Sequence, residues 1–168
     1  MARKEIFAGN WKMYKTYSEA IELIDGMKHN IEEKPNREVL IYPPSVYTKS
    51  IVEYCENTPI SVGVQNMYFE KEGAFTGEIA PAMVKDTGCK YILIGHSERR
   101  HVFSESNEDT NKKVHAAYEY GLIPMLCVGE QLEDREKGLT DKVVEKQVEQ
   151  GLQGISEDQA KILTIAYE

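Results

Sequence analysis

The chain has 168 residues, 41% hydrophobic and 29% charged, the composition of one folded globular domain over residues 1–168 rather than of a disordered segment. Its formal net charge of −8 repels polyanions and argues against nucleic acid or an anionic membrane surface as partner. No uncharged stretch exceeds about 13 residues (57–69), well short of the ~20 apolar residues of a membrane-spanning helix.

The opening residues, Met1-Ala2-Arg3-Lys4-Glu5, run into Ile6 without the apolar core of a secretory signal. The cysteines, Cys55, Cys89 and Cys127, are odd in number and form no C-x-x-C pair. Both features lead to the expectation of a cytoplasmic protein whose cysteines are small core residues.

In chain order, six segments carry short apolar or β-branched runs followed by polar residues or glycine. Glu5 to Lys12 is the first strand, and Ser18 then leads a helical pattern of Ala20, Ile21, Leu23, Ile24 and Met27. Arg37 to Pro44 is the second, with Ser45 opening a helix over Val46 to Tyr54. The third, Ile60 to Met67, precedes a long polar stretch from Tyr68 to Pro81 that reads as a surface loop. Cys89 to His96 is the fourth, and Ser106 with Glu108 and Asp109 opens a helix carrying Val114, Ala117 and Tyr118. The fifth, Leu122 to Gly129, is followed by a helix capped by Thr140 or Asp141 with Val143, Val144 and Val148 on it. Lys161 to Glu168 is the sixth.

The apolar centres Val39-Leu40-Ile41, Tyr91-Ile92-Leu93-Ile94 and Met125-Leu126-Cys127-Val128 suit parallel strands buried on both faces. Strand starts recur about every 31 residues, the length of one βα unit in an eight-unit barrel of ~250 residues. A six-stranded doubly wound sheet is the alternative, but the first turn reads Gly9-Asn10-Trp11-Lys12 and lacks the G-x-G-x-x-G of that fold. The predicted fold is α/β: the first six βα units, three quarters of a parallel (βα)8 barrel, with the last two units outside this sequence.

In such a barrel functional groups gather at the C-terminal ends of the strands. Those ends carry Asn10 and Lys12, Gln65 and Asn66, His96, Gly129 and Glu130, and Glu168. Taken singly, Lys12 reads as a solvated charge, Glu98-Arg99-Arg100 as a surface ion-pair cluster and Glu168 as a surface carboxylate, while His29, His101 and His115 read as surface or satisfied core groups. Taken together, a carboxylate base, an imidazole kept neutral by the amides of a helix starting at Ser97, and a fixed cation suit proton abstraction beside a carbonyl. There is no H-E-x-x-H and the cysteines are scattered, so no metal site is expected.

Four stretches carry a resemblance to a known family. Ala8-Gly9-Asn10-Trp11-Lys12-Met13, Ile94-Gly95-His96-Ser97-Glu98-Arg99-Arg100, Cys127-Val128-Gly129-Glu130 and Ala166-Tyr167-Glu168 resemble, in order and spacing, the first-, fourth-, fifth- and sixth-strand motifs of triosephosphate isomerases of the bacterial and eukaryotic type. The resemblance implies a TIM barrel that interconverts dihydroxyacetone phosphate and D-glyceraldehyde 3-phosphate through a cis-enediolate, without cofactor, in glycolysis and gluconeogenesis. Glu168 would be the base and His96 the neutral electrophile, an arrangement of which this family is itself the standard case. Lys12 would hold the substrate's charge beside Asn10 and Trp11, with Glu98 directed toward Lys12. Ser97 would receive the base in its open position, and Cys127 would support the site. A homodimer is also implied, in which Thr76 reaches the partner's site from the loop after the third strand and Gln65 and Asn66 lie near the contact. Tyr14 stands where the family more often has Asn. The family's lid, last two strands and glycine-rich phosphate grips lie outside the matched stretches. A noncatalytic partial barrel that needs those units remains the alternative. Another sugar-phosphate barrel enzyme fits less well, because a Schiff-base aldolase wants a lysine on a late strand and the sixth ends in Glu168.

Overall fold

In the computed structural model, which describes residues 4–168, six strands form one sheet in sequential order. They are β1 (Glu5–Asn10), β2 (Arg37–Tyr42), β3 (Ile60–Val64), β4 (Tyr91–Ile94), β5 (Ile123–Val128) and β6 (Thr164–Tyr167). Each lies inside the segment expected from sequence and gives up end residues to the loops. All neighbouring pairs are parallel, so every connection crosses over the sheet. The unbroken order β1 to β6 excludes the doubly wound alternative, in which strand order reverses part-way across the sheet.

The helices supply the crossovers, with two corrections to the expected caps. Helix α1 (Tyr17–Lys28) starts at a capping box two residues earlier than Ser18: Thr16 N donates to Glu19 Oε2 at 2.7 Å, and Glu19 N donates to Thr16 Oγ1 at 3.5 Å. A 3-10 turn at Ser45–Tyr47 leads into α2 (Thr48–Tyr54). A short α3 (Pro81–Asp86), absent from the sequence reading, follows the loop after β3; six residues are too few to display a helical period. Helix α4 (Ser97–His101) begins directly after His96, and α5 (Asn107–Glu119) starts at the expected Ser106 with Asp109 closing the box. After β5 come α6 (Leu132–Glu136), α7 (Thr140–Gly151) and α8 (Glu157–Ala160). Neither Thr140 nor Asp141 caps α7; Leu139 holds that position, and the Thr140 hydroxyl donates instead to Glu130 Oε1 at 3.0 Å.

Alternation along the strands divides the apolar side chains between two faces. Leu40, Tyr42, Tyr91, Leu93, Met125 and Cys127 form an inner cluster. Ile41, Val62, Ile92 and Leu126 point the other way and pack against Ile24, Ile51 and Val114 of the helices. Each fully buried Leu or Ile contributes about 1.5–3 kcal/mol of transfer free energy, and burial on both faces is why the strand centres read as continuous apolar runs.

The sheet is curled. Tyr42 and Met125 sit three strands apart, about 14 Å at the ~4.8 Å spacing of a flat sheet, yet Tyr42 Oη donates to Met125 Sδ at 3.5 Å. Gly63 makes room for this, since a Cβ there would stand 2.5 Å from the Tyr42 ring and 2.8 Å from Tyr91 O. The N-terminal end of the interior is closed by Glu38, which accepts from Lys4, from Ser61 Oγ at 2.6 Å and from Tyr91 Oη at 2.6 Å. Burial alone would raise this carboxyl's pKa; the hydrogen bonds from Lys4, Ser61 and Tyr91 outweigh it and hold the group below the ordinary value. Among the described residues β1 and β6 pair on one side only, and Phe7, Ile165 and Tyr167 on them are half exposed. No helix of the described residues is long and apolar enough to cross a membrane.

Candidate active site

Parallel strands bring all six C-terminal ends to one rim, and the curl brings distant ends together. A cavity of about 180 Å³ opens there, lined by Asn10, Tyr42, His96, Cys127 and Glu168 among others.

His96 comes from the turn between β4 and α4. Gly95 makes that turn at φ 72°, a conformation that disfavours any residue with a Cβ. His96 is the N-cap of α4, and its Nδ1 accepts the N–H of Glu98 at 3.2 Å. With Nδ1 occupied as an acceptor, the neutral ring carries its proton on Nε2, which faces Glu168 Oε2 at 3.7 Å. The imidazole is only 12% exposed.

Glu168 is placed by β5. Its N–H donates to Val128 O at 3.0 Å, continuing the sheet ladder one residue beyond β6. Its carbonyl oxygen passes so near Gly129 that a Cβ there would stand 2.2 Å away. Beneath the carboxylate lies Cys127, whose thiol is pushed up to about 12 by burial and, secondarily, by the charge of Glu168. Cys127 is therefore a neutral filler at the cavity wall.

Lys12 carries a strained backbone, φ 53°, a conformation that costs of order 1–3 kcal/mol in a residue other than glycine. Two side chains hold it: Lys12 N donates to Asn10 Oδ1 at 3.0 Å, and Lys12 O accepts from Gln65 Nε2 at 2.9 Å. Gln65 Nε2 also donates to Tyr42 O at 2.9 Å, tying the β1 loop to the end of β2. The ammonium then reaches across the rim to Glu98 Oε1 at 2.9 Å. That hydrogen bond raises the Lys12 pKa, against a smaller opposing effect of burial and with help from the charges of Glu98 and Glu168. The cation is thus fixed in charge and in place.

The remaining residues singled out by sequence are spread more widely. Ser97 lines a second hollow, about 210 Å³, with Arg100, Gly129, Glu130 and the same Glu168, so the carboxylate stands between two spaces. The Trp11 ring packs against the outer core and lines a hollow with Tyr14, Lys15 and Glu19; it is not part of the cavity wall. Asn66 Oδ1 accepts from Lys113 Nζ at 2.8 Å, and Thr76 lies in the exposed run 70–78.

A buried charged network that the sequence pattern does not reveal lies beside the site. Glu105, 8% exposed, accepts from Gly95 N at 3.2 Å, from Arg99 Nε at 3.2 Å and from Lys113 Nζ. The one signal for it was positional: Lys113 falls on the helix stripe of Thr110, Val114 and Ala117, all buried.

The sequence model of the family described as triosephosphate isomerase matches residues 5–168. The chain belongs to the triosephosphate isomerase family. Among its relatives, the triosephosphate isomerase of Dictyoglomus turgidum is 49% identical over 166 residues, covering 99% of this chain and 67% of that protein. That of Carboxydothermus hydrogenoformans is 49% identical over 166 residues, with 99% and 66% covered, and that of Clostridium tetani 48%, with 99% and 65%. The chain spans about two thirds of the length of these relatives, and its curled parallel sheet is a partial TIM barrel.

Proposed function

We propose that this triosephosphate isomerase family member interconverts dihydroxyacetone phosphate and D-glyceraldehyde 3-phosphate by proton transfer at the rim described above. Glu168 is the base that takes the proton from one carbon and returns it to the next, and His96 Nε2–H donates to the carbonyl oxygen as it gains charge. Lys12 balances the negative charge of the enediolate and phosphate, Asn10 orients the substrate, and Glu98 holds Lys12 in position. The single observation that carries this reading is the convergence of His96 and Glu168 from the ends of β4 and β6 on one small cavity, with the Lys12 ammonium from the β1 loop held at the same rim by Glu98. The second hollow beside Ser97 suits the carboxylate's swing away from the substrate. Trp11 is left out of the substrate contacts, because its ring faces the outer core.

The partner we assign is a second copy of the chain, in the cytoplasm. The loop after β3 supports this: Tyr68 stacks on Phe69 and Phe75 with ring centroids 4.2 and 4.7 Å apart, giving an exposed loop a rigid root that presents Thr76 outward. Met13 and Val46 add apolar surface at 94% and 91% exposure. Three buried free cysteines suit a reducing compartment.

A second reading, a barrel that turns over substrate only when further βα units are added, is favoured by the one-sided pairing of β1 and β6. Turnover of glyceraldehyde 3-phosphate by the purified chain, alone and with the C-terminal third of a relative supplied as a separate peptide, tests both. Turnover by the chain alone supports the first reading, turnover only with the peptide supports the second, and none in either case contradicts both.

A further inference from the structure

Three hydrogen bonds converge on the Arg100 guanidinium. Nε donates to Gly95 O at 2.6 Å, Nη2 donates to Cys127 O at 3.1 Å, and Nη1 donates to Asn107 Oδ1. Two of these acceptors are main-chain carbonyls at the C-terminal ends of neighbouring strands. Gly95 immediately precedes His96. Cys127 lines the cavity and precedes Val128, whose own carbonyl receives the Glu168 N–H. The guanidinium lies so close against Gly95 that a Cβ there would stand 2.5 Å from Nη2, which adds a steric demand for glycine to the one made by its positive φ. The preceding peptide unit is held as well, Gly95 N donating to Glu105.

We propose that Arg100 is a positioning residue that locks the ends of β4 and β5 together and so sets the spacing between His96 Nε2 and the Glu168 carboxylate. The proposal rests on the isomerase reading of the site and adds to it a group that touches neither substrate nor reacting atoms. The planar fork is what qualifies Arg100 for this. Its donors point in fixed directions and reach two carbonyls on two strands at once, whereas a lysine ammonium in the same space is a single point on a flexible stem. With lysine, one buried carbonyl loses its partner, and the two strand ends lose their common reference.

Arg100→Lys in the full chain, compared with wild type, tests this through turnover and through the imidazole ¹⁵N resonances of histidine-labelled protein, with His96 assigned by its loss in His96→Gln. The expected result is a fall in kcat of about 10- to 100-fold with KM within about twofold, and a displaced His96 Nε2 resonance in a protein that still unfolds cooperatively. A wild-type kcat, or an unmoved His96 resonance, overturns the proposal. If wild type itself fails to turn over glyceraldehyde 3-phosphate, the isomerase reading fails, and the resonance alone decides whether Arg100 positions His96. Should Arg100→Lys not fold, Asn107→Ala takes its place, which frees Nη1 of the guanidinium and also removes the Asn107 Nδ2 bond to Gln150 Oε1, with Gln150→Ala as the control for that second bond; a smaller displacement in the same direction is expected in Asn107→Ala, and a resonance unmoved, or moved equally by Gln150→Ala, again overturns the proposal.

Discussion

Glu168 Oε2 stands 3.7 Å from His96 Nε2, although the two residues leave strands separated by β5. The distance is beyond a hydrogen bond, so neither group uses up the other, and both remain available to a ligand between them. Main chain places both groups: the Glu168 N–H lies on Val128 O, and the Gly95 turn carries His96.

If the carboxylate is the base, its reach matters more than its charge. Glu168→Asp keeps the charge and withdraws it by about 1 Å, worth roughly 100-fold in rate. The expected result is a kcat lowered by about that factor with KM nearly unchanged in steady-state assays. A loss confined to KM would remove Glu168 from the proton transfer.

Gly129 and Gly26 are expected to respond to alanine in opposite directions. At Gly129 the added Cβ would crowd the Glu168 main chain, its oxygen at 2.2 Å and its carbonyl carbon at 3.2 Å, in a residue whose N–H is held on Val128 O. Gly129→Ala is expected to cost about 1–3 kcal/mol and to lower kcat by moving the base. Gly26 lies within α1 with nothing within 4 Å of the new Cβ, so Gly26→Ala is expected to stabilise by about 0.5–1 kcal/mol. Urea denaturation of the two variants checks both signs.

Stability is expected to fall in alkali. Burial pushes Cys55 up to about 11 and Cys127 up to about 12, and it raises Cys89. Burial likewise raises Tyr42 and Tyr91. These groups keep their protons in the folded chain and release them on unfolding, so their contribution is fully present below the ordinary thiol value of about 8.5 and is lost as the pH rises toward the folded values. The urea midpoint should hold between pH 7 and 8 and drop steadily above pH 9; a constant midpoint to pH 11 would contradict the burial of these groups.

The assembly depends on the loop after β3. Thr76→Arg adds bulk and charge to the tip of an exposed loop and disturbs no core residue. Sedimentation should then report a monomer with weak activity. An unchanged sedimentation coefficient together with unchanged turnover would remove Thr76 from the contact.

Much of this was legible in the chain because it is periodic. Repeated apolar runs with helical patterns between them dictated a parallel sheet, and polar residues at strand ends marked the rim. What escaped depends on contacts distant in sequence. Gln65 reads as a strand-end residue near the dimer contact, yet within the chain it holds Lys12 and Tyr42 across two loops. Glu105 and Lys113 look like surface charges and are buried against each other. Trp11 sits within a site motif while its ring faces the outer core, the side that strand alternation gives to the position after the cavity-facing Asn10. The cap of α1 shifted to Thr16 because Glu19 answers it three residues on, a pairing that Ser18 lacks.

In the proposed reaction the rim moves a proton between adjacent carbons of a triose phosphate with Glu168 as the carrier. The most direct test is incorporation of deuterium from D₂O into dihydroxyacetone phosphate, followed by proton NMR for wild type and for Glu168→Gln at equal concentration. Exchange at C1 is expected with wild type and a loss of at least about 100-fold in the variant. Equal exchange by the two proteins would contradict it.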